Sequence, residues 1–262
     1  MPVLYEKRNH VGYLTFSRPD ARNCWGDDYN EELPAHCETI TFDDDVHAVV
    51  LTGDERGGAF SAGANIRDPR THVEESAGLA ILELPKRRRY AGHALIDLPK
   101  PVIAAVNGYA VGIGAITTLC CDMIVASERA EWRLPQVALG IMPNHAGAVR
   151  VAQWIGKGNA MKLAMGWPLK ADEAYRLGLA QWLVPHAELM DQATAIAERL
   201  AGLPPLASRL TKESLNRGMD MPSLADAAYL DLYRQALLSM TADAKESHQA
   251  WRDKRKPEFK GA

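Results

Sequence analysis

Two glycine-bearing loops hold the residue types that could do chemistry in this chain. The first is GGAFSAGANI at 57–66, and the second is NGYAVGIGA at 107–115. Small side chains let backbone N–H groups approach a ligand closely, and the start of a helix gives its amides partial positive charge. Two N–H groups that converge on one oxygen form an oxyanion hole, which stabilises a developing enolate or tetrahedral oxyanion.

The same glycines admit two other interpretations. A tight turn from strand to helix needs glycine for close packing alone, and glycine content by itself favours that interpretation. A phosphate cradle is the other, but NGYAVGIGA contains no GK[ST] and does not fit G-x-G-x-x-G. The residues of the loops therefore leave the oxyanion hole and the tight turn both open.

Buried strands should position the two loops. The branched apolar runs VHAVVLTG, KPVIAAVNG and MIVAS predict strands, and VLYEKRNHVGYLTFS predicts an N-terminal hairpin. The chain then becomes mostly helical, with helices predicted over 157–166, 170–178, 186–202, 205–217 and 222–252. This change from alternating strands and helices to helices alone indicates an α/β core with a helical C-terminal region.

Composition excludes several classes of function. The chain has 262 residues and a formal net charge of −3, so it lacks the overall basic field of a nucleic-acid-binding protein. No apolar run is long enough to span a membrane, and the N-terminus lacks the pattern of a secretory signal. The four cysteines do not have the spacing of a metal site. We therefore expect reduced thiols, no metal and a cytoplasmic location.

Several longer motifs occur in a fixed order. They are FSRPDARNCW, VVLTGDERGGAFSAGANI, KPVIAAVNGYAVGIGAITTLCCDMIVASERAEWRLPQVALGIMPNHAG and the closing ADAKESHQAWRDKRKPEF. In order and spacing they resemble the crotonase (enoyl-CoA hydratase/isomerase) superfamily over nearly the whole chain. The resemblance implies an α/β fold, with a crotonase-type spiral of ββα units over 1–195 that holds an acyl-CoA site. A C-terminal helical region over 196–262 would build a homotrimer, or a hexamer formed as a dimer of trimers.

The resemblance also implies the ligand and the residues that hold it. The substrate would be an acyl-CoA thioester, with coenzyme A part of the substrate and no separate cofactor. The backbone N–H groups of Ala64 and Ile113 would form the oxyanion hole. Family members usually carry glycine at the second position, and isoleucine keeps the amide while adding a branched side chain. The remaining substrate and CoA positions implied by the family are Arg22, Cys24, Ala62, Ile66, Arg67, Ile116 and Lys256.

The acid–base groups of the family's hydratases are replaced in this chain. Those hydratases use two glutamates to hold and activate water, and the matching positions here are Ile116 and Gln136. Isoleucine cannot move a proton, and glutamine can orient water but is not a base near neutral pH. Asn144 stands where some family members carry a further carboxylate. We therefore do not expect simple hydration by the usual pair.

His145 is the candidate replacement for these groups, because histidine titrates near neutral pH and can act as a general acid or base. Its ordinary role would be to cap or pack the helix that starts near Ala146. Glu75 and Glu83, on a helix predicted over 72–97, are weaker candidates, since a solvated helix face is the more ordinary place for them. His93 on the same helix is expected to pack beneath the loop.

The resemblance thus implies an enoyl-CoA hydratase/isomerase family enzyme, a lyase or isomerase that stabilises a thioester enolate. Two alternatives stay open. One is isomerisation, C–C bond hydrolysis or decarboxylation with His145 moving protons, and the other is a non-catalytic acyl-CoA-binding subunit. The candidate catalytic residues are Ala64, Ile113, Gln136, Asn144 and His145.

Overall fold

Strands and helices alternate along the part of the chain that the computed structural model describes, which is residues 2–66, 78 and 91–262. The elements within these residues are β1 (Val3–Arg8), β2 (Val11–Phe16), α1 (Asp27–Thr41), β3 (Ala48–Gly53), β4 (Ala59–Ser61), α2 (His93–Asp97), β5 (Val102–Val106), β6 (Tyr109–Val111), α3 (Ile113–Thr118), β7 (Met123–Ser127), β8 (Glu131–Arg133), α4 (Gly147–Ala164), β9 (Leu169–Lys170), α5 (Ala171–Arg176), β10 (Trp182–Val184), α6 (Leu189–Ala201), α7 (Pro205–Gly218), α8 (Leu224–Ser239) and α9 (Ala242–Asp253).

Two sheets organise these elements. The larger sheet has the order β1-β2-β3-β5-β7-β10, and the smaller has the order β4-β6-β8-β9. All neighbours in the larger sheet are parallel except β1 and β2. Every residue of β3 and of β5 is buried, as expected for parallel strands covered on both faces. The chain repeatedly places one strand in the larger sheet and the next in the smaller one.

The predicted N-terminal hairpin is confirmed. β1 and β2 pair antiparallel from Val3 opposite Phe16 to Arg8 opposite Val11. The two connecting residues, Asn9 and His10, have φ of 49° and 63°. This left-handed pair is the geometry that a two-residue hairpin turn favours, because its twist matches that of the strands.

One of the predicted C-terminal helices has the wrong bounds, and a second is confirmed at its start. The helix predicted over 157–166 is the part of α4 that follows the kink at Gly156, where φ is 76° and the helical geometry is interrupted, and it ends at Ala164. The helix predicted over 222–252 is two helices, because Thr241 starts a new one by accepting a hydrogen bond from the Ala244 N–H at 3.1 Å. In both places a local backbone signal divides a stretch whose apolar pattern is continuous.

The C-terminal helices pack on the core to different degrees. α6 covers one face of the larger sheet through Leu189, Ala193 and Ala197, whereas α8 has no buried residue. The division into 1–195 and 196–262 stays a prediction, and α6 runs across it. Among the described residues, no helix combines the length and apolar character needed to cross a membrane.

Candidate active site

The two glycine-bearing loops meet at Gly63 and Val111. Gly63 has a φ of +85°, and a Cβ on it would lie only 2.7 Å from the carbonyl oxygen of Val111. A Cβ on Gly114 would likewise lie 2.7 Å from the Cβ of Ser61. Only glycine permits these approaches, since any side chain would force one loop away from the other. The backbones of the two loops therefore pack directly against each other, next to Ala64 and Ile113.

Ala64 lies in a short parallel bridge with Trp25. The Trp25 N–H donates to the Gly63 carbonyl at 2.8 Å, and the Asn65 N–H donates to the Trp25 carbonyl at 2.9 Å. These bonds fix the backbone on both sides of Ala64. Within the described residues the Ala64 N–H itself meets no acceptor, and the residue is exposed. It is a fixed donor that a ligand oxygen can reach.

Ile113 is the first residue of α3, and Gly112 precedes it with a φ of 54° and a ψ of −118°. The Gly112 N–H donates to the Arg133 carbonyl at 2.8 Å, and the Gly112 carbonyl accepts from the Ile116 N–H at 3.0 Å. Gly112 is thereby held between β8 and the helix. The Ile113 amide lies in the first turn, where an N–H has no acceptor within its own helix.

Ile116, which the family resemblance matches to a hydratase glutamate, is fully buried. Its Cδ1 and Cγ1 atoms lie 2.7 Å from the place that a Cβ on Gly147 would take. The side chain is packed against the start of α4, so a hydrocarbon fills the space there. Its predicted contact with substrate stays a prediction.

Gln136 lies beside the second loop, with its Nε2 atom 3.5 Å from the position of a Cβ on Gly112. The residue is 9% exposed, and its buried Oε1 atom has no hydrogen-bond partner within the described part of the chain. A buried acceptor without a partner costs free energy, so it normally meets a ligand or a water. The amide can therefore orient a group bound near Gly112.

The turn that carries Asn144 and His145 lies next to Ile116, because it leads directly into Gly147. The Gly147 N–H donates to the Asn144 carbonyl at 2.8 Å, and His145 and Ala146 have φ of 53° and 59°. Partial burial lowers the pKa of His145, and the nearby charge of His93 lowers it further. At neutral pH the imidazole is consequently in the form that accepts a proton.

Some of the predicted CoA-binding residues lie in or beside the first loop, and Lys256 lies elsewhere in the chain. The Arg22 carbonyl accepts from the Ala62 N–H at 3.0 Å, which joins that segment to the loop. Cys24 is buried and Ile66 is 63% exposed. Lys256 is exposed in the segment after α9. Three candidates lie outside the described residues: Arg67, Glu75 and Glu83.

The four cysteines are buried free thiols. Burial raises the pKa of Cys37 and of Cys120 to about 12, so neither is a thiolate at neutral pH. Within residues 2–66, 78 and 91–262, no group of three His, Cys, Asp or Glu side chains could hold a metal ion. The candidate polar groups for the site are therefore backbone amides, the Gln136 amide and, as a prediction, the His145 imidazole.

This geometry agrees with the comparison with known families. The model of the family described as enoyl-CoA hydratase/isomerase matches residues 6–262. The chain belongs to the enoyl-CoA hydratase/isomerase family. The resemblance to the crotonase superfamily is thereby confirmed.

Relatives and solved structures match this chain over nearly its whole length. It is 36% identical to the short-chain-enoyl-CoA hydratase of Clostridium acetobutylicum, with 98% of this chain and 96% of that protein covered. It is 34% identical to a probable enoyl-CoA hydratase of Rhizobium meliloti, with 98% and 97% covered. The crystal structure of the enoyl-CoA hydratase from Bacillus anthracis matches with a TM-score of 0.90 at 30% identity, over 100% of both chains. The predicted crotonase-type α/β fold is confirmed.

Three features of the site were not predicted from the sequence. They are the contact of Gly63 with Val111, the contact of Ile116 with Gly147, and the unpartnered Oε1 of Gln136. The glycines themselves were the available signal for the first two, because each stands where a Cβ would collide. Which residue each glycine faces was not readable from spacing.

Proposed function

We propose that this enoyl-CoA hydratase/isomerase family member binds an acyl-CoA thioester and stabilises its enolate in an oxyanion hole. The two donors are the backbone N–H groups of Ala64 and Ile113. The observation that carries the proposal is the close approach of Gly63 to Val111, because it holds the segments before both amides together. The Ala64 N–H without an acceptor among the described residues supports it further. The relatives named above are enoyl-CoA hydratases.

The proposed chemistry follows from where charge develops. When the thioester loses a proton or a carboxylate group from its α carbon, negative charge moves onto the thioester oxygen. Two fixed N–H donors stabilise that oxygen more strongly than the neutral carbonyl, which lowers the barrier. His145, with its lowered pKa, takes up or returns the proton. Gln136 orients the substrate or a water through its amide.

Isomerisation, C–C bond hydrolysis and decarboxylation fit this set of groups better than hydration does. Hydration in the family's manner needs carboxylates, and positions 116 and 136 supply isoleucine and glutamine. Decarboxylation requires the least from side chains. When carbon dioxide departs, the electron pair of the broken C–C bond stays behind as an enolate, which the hole stabilises. A lyase or isomerase acting on acyl-CoA in fatty acid metabolism is the proposed class.

A panel of CoA thioesters tests the proposal. Crotonyl-CoA should show little loss of its enoyl absorbance, while a β,γ-enoyl-CoA, a β-keto acyl-CoA or a malonyl-type thioester should be turned over. His145→Gln should abolish that turnover, with His248→Gln as the matched control on α9. Rapid hydration of crotonyl-CoA that survives His145→Gln would contradict the proposed roles.

A non-catalytic acyl-CoA-binding subunit is the second candidate, and the buried hydrocarbon at Ile116 favours it. Such a subunit should be stabilised against heat by acyl-CoA and should turn over no thioester in the panel. If no CoA ester raises the melting temperature, the proposed ligand is wrong for both candidates.

We also propose a homotrimer or a dimer of trimers in the cytoplasm. The support is α8, whose sixteen residues include none that is buried. Its exposed apolar side chains include Leu224, Leu232, Tyr233 and Leu237, and apolar patches of this kind commonly mark interfaces. Light scattering should give three or six times the chain mass, and Leu232→Glu with Leu237→Glu should lower it. Fractionation of the source cells tests the location.

A further inference from the structure

We propose that a cleft between α4 and α7 is a second binding site, separate from the oxyanion hole, for an aliphatic carboxylate. The cleft has a volume of about 920 Å³, which lies within the range of small-molecule sites. Its walls come from the ends of α3, α4, α6 and α7. The apolar side chains that line it include Ile96, Leu119, Val149, Trp154, Leu200 and Leu203.

Two cations face this cleft, and their surroundings differ. Lys212 is 7% exposed and fully engaged, since its Nζ pairs with Asp122 at 2.8 Å and donates to the carbonyls of Leu95 and Lys100 at 2.9 and 3.0 Å. Arg150 has no ion-pair partner in the described part of the chain, and its buried Nε has no hydrogen-bond partner. Arg150 is therefore the cation available to a ligand.

The position of Arg150 makes the positive potential around its side chain stronger. It is the fourth residue of the 18-residue α4, and a cation near a helix N-terminus adds to the partial positive charge already there. Burial raises the pKa of the neighbouring Cys120 thiol, so that thiol offers no compensating negative charge. Asp122 is already paired with Lys212, and Asp220, which also lines the cleft, is exposed.

These features define the chemistry of the ligand. Arg150 is half-buried, and its buried Nε, which has no partner among the described residues, is costly unless an acceptor meets it. A carboxylate matches the planar fork of guanidinium donors. The apolar walls suit a hydrocarbon chain attached to that carboxylate. Neither Ala64 nor Ile113 lines the cleft, and Ile116 does not line it either. The site does not depend on the proposed thioester chemistry.

Decanoate is the probe for this site, measured by isothermal titration calorimetry on the whole protein below micellar concentrations. We expect one decanoate per chain, bound at least about tenfold more tightly than decanol, because only the acid pairs with Arg150. Arg150→Met should weaken decanoate by about tenfold to a hundredfold and leave decanol unchanged. Arg176→Met, which alters an exposed arginine on α5, should change neither affinity.

A second variant separates loss of the cleft from loss of the charge. Ala207→Trp, on the α7 wall, should block decanoate and decanol alike while the circular dichroism spectrum stays that of the wild type. Equal binding of decanoate and decanol to the wild type, or an Arg150→Met variant with unchanged decanoate affinity, would overturn the proposal. Failure of the wild type to bind decanoate would also overturn the proposal. If the oligomeric mass of Arg150→Met then differed from that of the wild type, a second copy of the chain would be the group that covers the cleft.

Discussion

The candidate site has one half built from backbone and one half built from side chains. The two halves differ in whether they keep the groups that the family's hydratases are expected to use. In the backbone half, Gly63 and Gly114 allow the two loops to pack in contact beside Ala64 and Ile113. In the side-chain half, position 116 holds a buried isoleucine, and position 136 holds a glutamine whose Oε1 has no partner among the described residues. The backbone donors that we propose for an oxyanion lie in loops that these contacts fix, whereas neither position 116 nor position 136 carries a carboxylate.

The difference teaches that the two halves depend on different things. A backbone N–H survives any substitution that leaves the loop in place, so Ile113 can replace the family's usual glycine without loss of the donor. A general acid or base is lost with a single substitution, because its chemistry resides in the side chain. Reaction type can therefore change while the fold and the hole persist.

Substitution of Gly63 should have the largest combined effect, because it breaks the backbone half and lowers both turnover and stability. Gly63→Val places a β-branched residue at a φ of +85° with its Cβ 2.7 Å from the Val111 carbonyl. We expect turnover to fall by about a hundredfold or more and the free energy of unfolding to fall by about 1–3 kcal/mol. Thioester assays and urea denaturation measure the two effects.

The control for this variant is Gly158→Ala on α4, where an added Cβ meets nothing within 4 Å. It should leave turnover unchanged and raise stability slightly, since alanine favours a helix over glycine. Wild-type turnover in Gly63→Val would show that the contact between the loops does not position the donors.

Substitution of His145 is the second test and breaks the side-chain half alone. His145→Gln keeps a polar side chain but removes the proton acceptor, so turnover should fall by about a hundredfold to ten-thousandfold. Acyl-CoA affinity should stay within a few-fold, because the backbone donors remain. Steady-state kinetics and thermal shift with acyl-CoA distinguish the two quantities. Equal losses of affinity and turnover would assign His145 to binding instead.

The contact between Ile116 and Gly147 gives a smaller effect, on stability. Gly147→Ala inserts a Cβ 2.7 Å from two Ile116 carbons, and overpacking of this kind costs about 1–3 kcal/mol. Ile116→Val removes one methyl group from the isoleucine, so the double variant should recover part of the loss. Urea denaturation of the four proteins gives the coupling free energy, and a value near zero would place the two residues out of contact.

The smallest expected effect is a pH dependence of stability. The pKa of His145 is lowered in the folded protein, so the unfolded chain binds more protons just below the ordinary histidine pKa of about 6.5. Stability from this group is thus fully present above that pH and falls as the pH is lowered through it. Urea denaturation at several pH values should show a shallower decline in His145→Gln, and an identical decline would exclude this contribution.

Much of the fold was predictable from the sequence, and the misses have local causes. The hairpin and the buried strands follow from alternation and from branched apolar runs. The helix expected to start near Ala146 and the helix predicted from 157 both agree with α4, which begins at Gly147 and is interrupted at Gly156. The prediction of one helix over 222–252 missed the boundary between α8 and α9, because Thr241 is a single polar residue in a stretch whose composition is otherwise that of a helix.

The sequence by itself determined which groups the site can contain. It determined that positions 116 and 136 carry no carboxylate, that His145 follows Asn144, and that glycines stand in both loops. The identity of the residues and the order of the motifs also determined the family, since both are properties of the sequence alone.

Only the tertiary structure decided what those residues face. It brings Gly63 onto Val111 and packs Ile116 on Gly147. It also leaves the Oε1 of Gln136 without a partner among the described residues and buries the Nε of Arg150 beside a cleft. Each of these features involves atoms from segments far apart along the chain. Their contact depends on how the sheets and helices pack, and spacing within one segment does not specify it.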